Sequence, residues 1–175
     1  MTKPTWKEYA LIAFAVAMAV AWMPDRPLGD PAYSRLSTAH ALTEYGTWYI
    51  DAVPEDDPLP FTTVDKVMVN GRVVNNLTVE GRIISSKPPL LPLAMTALYA
   101  AQKPIIGWDL RDEDDVIPIA RYLTATLIVP SYATGLIFFM KTLCIFGIQP
   151  FVRFVLVAGL AFGSQCFAFA TVINN

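Results

Sequence analysis

Three apolar runs without a single charged side chain set the narrowest limit on how this chain can fold. They are Tyr9–Met23, Tyr122–Met140 and Phe154–Asn175, and the polar interval 25–115 separates the first from the second. A soluble domain has about 25% charged residues, whereas this chain of 175 residues has 16% charged and 54% hydrophobic residues. Apolar residues bunched in this way mark membrane segments rather than one buried core. The net charge of -2 hides a division. Residues 25–115 hold 14 acids and 8 bases, net -6, and the remainder holds Glu8 against Lys3, Lys7, Arg121, Lys141 and Arg153, net +4. Bases beside apolar runs and acids between them predict cytosolic span ends and an outer loop. No basic patch points to nucleic acid.

Read in order, residues 1–24 give a cytosolic tail and a first transmembrane helix. Its uncharged part is 15 residues (23 − 9 + 1), short of the about 20 that cross a bilayer, with Trp6 and Trp22 as interface markers. A cleaved signal peptide is the rival, because Ala17-Met18-Ala19 and Ala19-Val20-Ala21 fit a small-x-small site. Residues 25–116 form the outer loop. Asp30 caps a helix there, Pro31 opens it and Gly46 stops it. Asp51–Pro60 is a proline-rich acidic loop. Val64–Val69 and Arg72–Val79 flank Asn70-Gly71, a strong hairpin signal; with Arg82-Ile83-Ile84 they predict a three-stranded meander. Pro88–Ala101, apolar for 14 residues (101 − 88 + 1), suits a helix lying along the membrane, and Asp109–Asp115 reads as a solvated return loop. Residues 117–175 supply the second and third transmembrane helices around the basic connection Lys141–Arg153. The sequence stops inside an apolar run and is expected to be the first part of a longer protein. The fold class is therefore an α-helical integral membrane protein: three spans, and an outer loop with interfacial helices and a small β-meander. Its expected location is the cell (inner) membrane, crossed several times.

Cys144 and Cys166 make no disulfide framework and read as free thiols. His40 has no second ligand at helical spacing and reads as a packed or exposed histidine. Asp30 and Lys87 carry more weight, since each lies where the loop meets an apolar element. An acid at that depth can act as general base toward a membrane-borne substrate, although helix capping alone would explain Asp30. A lysine there offers a point charge to a lipid phosphate, although snorkelling would explain Lys87. Arg35 and Arg82 could serve the same anion, or be ordinary surface residues.

The order of a span, Gly29-Asp30-Pro31-Ala32-Tyr33, a helix ending in Gly46-Thr47-Trp48, a hairpin, and Ser86-Lys87-Pro88-Pro89-Leu90 resembles one family. The whole chain is similar to the amino-terminal third of the GT-C membrane glycosyltransferases, in the group of protein O-mannosyltransferases and aminoarabinose transferases. That resemblance implies transfer of a sugar from a polyprenyl-phosphate lipid to a hydroxyl acceptor on the outer side. It implies Asp30 as catalytic base, and Lys87, Pro88, Arg35 and Tyr33 as donor-binding residues. It departs at Ala32, because the group often carries a second carboxylate directly after its first acid. A divalent cation is the one cofactor left open, and no metal-ligand spacing marks a site. The implied partners are the bilayer, the polyprenyl-phosphate sugar and other membrane subunits. The competing reading is a non-catalytic accessory membrane subunit whose outer loop binds a larger complex.

Overall fold

The computed structural model describes residues 2–25, 29–53, 58–63, 66–69, 72–74, 77–79 and 82–172. The chain is mostly helical and divides into two compact units, residues 1–25 with 124–173 and residues 26–123.

The first unit is built from α1 (Trp6–Ala21), α5 (Val129–Ile145), α6 (Pro150–Phe162) and α7 (Gln165–Ala170). Ile12 and Ala15 of α1 pack with Leu136 and Met140 of α5 and Val157 and Ala161 of α6. Spacings of three and four residues put each helix's buried positions on one stripe, and alanines at the seam let the backbones approach closely. The opposite faces are apolar as well. Phe14, Phe138 and Phe151 are 58%, 65% and 76% exposed.

One charged pair lies inside this unit. Glu8 and Arg153 are fully buried, and Nε of Arg153 donates to Glu8 Oε1. Its Nη2 reaches Glu8 Oε2 at 3.1 Å and the Lys3 carbonyl at 3.0 Å. Its Nη1 reaches Thr2 Oγ1 at 2.8 Å and the Ile148 carbonyl at 3.3 Å. Glu8 also accepts from the Thr5 amide at 2.6 Å, so one carboxylate closes the first turn of α1 and ties α1 to α6. Arg153, read from sequence as a charge at a cytosolic boundary, is spent inside the fold.

Residues 113–145 form a single helix of 33 residues, α4 (Glu113–Leu123) running through a π turn (Thr124–Ile128) into α5. Pro130 follows the π turn; it has no amide proton and its ring crowds the carbonyl four residues back, within that turn. By length and composition this helix can cross a membrane, since its about 50 Å exceeds a hydrocarbon core of about 30 Å. The third apolar run differs from the uninterrupted span read in the sequence. Helix α6 ends at Phe162, and Ser164, extended at φ -116 and ψ 168, caps α7 through its hydroxyl.

The second unit contains α2 (Asp30–Tyr45), α3 (Leu90–Ile106), α4 and four short strands. Gly29, not Asp30, is the N-cap of α2, and Asp30 is its first helical residue. Gly46 ends the helix at φ 63, letting the Thr47 amide return to the Ala41 carbonyl at 3.3 Å. The strands correct the expected meander. β1 (Lys66–Val69) pairs with β4 (Arg82–Ser85), and β2 (Arg72–Val74) with β3 (Leu77–Val79), all antiparallel. Partner numbers have the same sum in both pairs, so the two ribbons, β1 with β4 and β2 with β3, share one register. Val69 therefore pairs with Arg82 rather than Arg72, and Val74 pairs with Leu77. The expected turn residues Asn70 and Gly71 lie outside the described residues.

Candidate functional site

The side chains singled out in the sequence lie in the second unit, around the start of α2. Asp30 is exposed in the first turn, and its carbonyl accepts from Thr63 Oγ1 at 3.1 Å. Tyr33 stacks on Phe61 with centroids 4.8 Å apart and planes at 21°. Burial and then the nearby charge of Asp30 push the Tyr33 phenol above its ordinary range. One helical turn beyond Asp30, Ser34 Oγ lies 2.6 Å from Ser85 Oγ, at the end of β4. Ser85 Oγ also accepts the Lys87 amide at 3.2 Å. Two hydroxyls thus join the first turns of α2 to the segment carrying Lys87, across 51 positions of sequence. Lys87 is half-buried and Pro88 exposed, just ahead of α3.

Arg35 and Arg82 sit differently from a shared anion site. Arg35 is 3% exposed, among the buried residues of α2. Arg82 lies 4.0 Å from Asp51 and over the Tyr49 ring at 4.8 Å, which engages it on the ribbon. Two clefts open in this unit. One of about 320 Å³ is lined by Tyr33, Pro60, Phe61, Glu113, Asp114, Val116 and Ile117. The other, about 580 Å³, is lined by Ser37, Asp51, Phe61, Thr62, Thr63 and Lys66 among others. Phe61 lines both, and neither is lined by Asp30 or Lys87.

A second polar cluster escaped the sequence reading. Asp109 accepts from Arg111 Nη2 at 2.7 Å, Lys103 Nζ at 3.0 Å and Tyr99 Oη at 3.3 Å. Lys103 also reaches Glu44 at 2.5 Å, so α2, α3 and the 107–112 loop share one ionic knot. Arg111's hydrogen bonds hold the Asp109 carboxyl well below the usual carboxylate range, against its partial burial. Burial opposes the charge on Lys103, but Glu44 and Asp109 win and raise its pKa. Asp109 is therefore a fixed anion in the packing of α2 on α3, not a solvated loop acid. His40 is fully buried on α2 against Tyr45 and Tyr99, with neither ring nitrogen hydrogen-bonded among the described residues. Burial lowers its pKa, opposed by Glu44 and Asp109 and aided by Lys103 and Arg111. Tyr99, under the same burial, is pushed up to about 12. Among the described residues, no group of three or more His, Cys, Asp or Glu side chains is placed to hold a metal ion.

No protein-family model, curated protein or solved structure matches this chain.

Proposed function

We propose that the chain is the amino-terminal portion of a membrane glycosyltransferase that moves a sugar from a polyprenyl-phosphate donor to a hydroxyl acceptor on the outer side. In this reading α1, the long helix and α6 with α7 are three passes through the inner membrane, and α3 lies along its outer surface. The observation that carries the reading is the Ser34–Ser85 contact at 2.6 Å. It links the turn holding Asp30 to the segment holding Lys87, two groups that the sequence keeps 57 positions apart (87 − 30).

The chemistry suits this pair. Cleaving a glycosyl phosphate releases a phosphate close to its final charge, so the leaving group needs a cation rather than an acid. The acceptor hydroxyl needs a base. Asp30 would take that proton, and Lys87 would hold the phosphate as a point charge. Arg35, buried on the same helix, would add to the positive potential without touching the donor. Tyr33 would border the site through its stack with Phe61.

Binding of a short-chain polyprenyl-phosphate sugar to the reconstituted chain tests the donor half. Lys87→Ala should weaken binding about tenfold or more, the loss expected for a hydrogen bond to a charged group. Arginine at that position should restore only part, since its planar fork differs from a point charge. Unchanged affinity in Lys87→Ala would remove Lys87 from the site and favour the accessory-subunit reading.

A further inference from the structure

The end of the first unit where α1 and α6 begin has a groove of its own. The Arg153–Glu8 pair holds the two helix starts side by side. Between their first turns lies a groove of about 590 Å³ lined by Thr5, Trp6, Lys7, Pro150, Phe151 and Phe154. Trp6 is 75% exposed and Phe151 76%, so aromatic surface is left uncovered there. The charge at this end has one sign. The unit's acids are Glu8 and Asp25; Glu8 is taken up by Arg153 and Thr5, and Asp25 lies beyond the far end of α1. Lys3 has its carbonyl on Arg153, and Lys7 precedes Glu8. Lys141 is one turn ahead of Cys144, whose carbonyl accepts from Thr2. The backbone of three lysines therefore comes to this end, and Lys7 lines the groove itself, with the one carboxylate already engaged.

We propose that this groove binds the head group of an anionic phospholipid, with Lys7 on the phosphate and Trp6, Phe151 and Phe154 against the glycerol and upper acyl chain. A free anion would leave the aromatic walls uncovered, and a zwitterionic lipid brings its own ammonium to a groove already lined by that of Lys7. An anionic amphiphile answers both halves of the groove. The inference rests on the membrane reading above, but on neither Asp30 nor Lys87.

The test uses the whole chain carrying Trp22→Phe, Trp48→Phe and Trp108→Phe, which leaves Trp6 as the only tryptophan. It is reconstituted in phosphatidylcholine vesicles with rising fractions of phosphatidylglycerol or phosphatidylcholine brominated high on the acyl chains. Brominated phosphatidylglycerol should half-quench Trp6 at about fivefold lower mole fraction, the preference expected from one basic residue at a membrane surface. Lys7→Gln, at an exposed position, should remove that preference while leaving the thermal midpoint unchanged. Equal quenching by the two lipids, or a preference that survives Lys7→Gln, would overturn the site. Quenching by neither lipid would overturn the membrane reading itself.

Discussion

Replacing Arg153 with methionine tests the packing of the first unit at its most demanding point. The change keeps an unbranched stem, shorter than that of arginine, and deletes the guanidinium with its hydrogen bonds to Glu8, Thr2, Lys3 and Ile148. The Glu8 carboxylate, at 0% exposure, then keeps Thr5 as its one remaining hydrogen-bond partner among the described residues, through the amide at 2.6 Å and the hydroxyl at 3.0 Å. Removing one partner of a buried ion pair costs about 3–5 kcal/mol, most of it the uncompensated charge left behind. Unfolding of the reconstituted protein by a denaturing detergent, followed by circular dichroism, should show a loss of that size. Glu8→Gln with Arg153→Met should lose clearly less than Arg153→Met alone, because no charge is stranded; the cycle should show a coupling of about 1–3 kcal/mol. A loss below about 1 kcal/mol in Arg153→Met would mean that water reaches Glu8, and that the pair does not fix α1 against α6.

Two further outcomes concern the second unit and the proposed topology. His40 is held neutral by burial, with its folded pKa below the unfolded value near 6.5. The unfolded chain therefore takes up the proton first, and stability is full above about pH 6.5 and falls as the pH drops toward the folded pKa. The thermal midpoint should fall between about pH 7 and 5, and His40→Leu should flatten that slope; an unchanged slope would exclude His40 as its source. In a Cys144→Ser, Cys166→Ser background, an impermeant thiol reagent on intact cells should label Asp112→Cys and spare Gln149→Cys. The reverse pattern would invert the proposed topology.

Local signals in the sequence were readable where one element contains both halves of the message. Pro31 and Gly46 bound α2 as expected, and the error at Asp30 is a single position: Gly29 takes the cap, in extended geometry. The ribbon shows where local reading fails. Asn70-Gly71 is a strong turn signal by composition, yet Val69 pairs with Arg82 and Arg72 with Val79. A turn at 70–71 would pair Val69 with Arg72 instead. The ionic features were invisible for a different reason. Glu8 and Arg153 are 145 positions apart, and Lys103 and Glu44 are 59 apart. Each reads alone as a surface charge until packing brings the partner. The Thr5-x-x-Glu8 spacing of a capping box was the one available hint that Glu8 is bound. At the candidate site, Asp30 and Lys87 were legible as residue types at apolar boundaries, while Ser34 and Ser85, which join their segments, carried no signal.

The most direct measurement is single-turnover sugar transfer from a radiolabelled polyprenyl-phosphate donor by membranes containing the transferase proposed above, with Asp30→Asn compared against the native residue. Asparagine keeps the size of the side chain but cannot accept the acceptor's proton. The account predicts a rate lower by about 10²–10⁴-fold, the range of general-base catalysis, with donor binding and the unfolding midpoint unchanged. Transfer at the native rate in Asp30→Asn would contradict it and leave Asp30 as no more than the first residue of a helix.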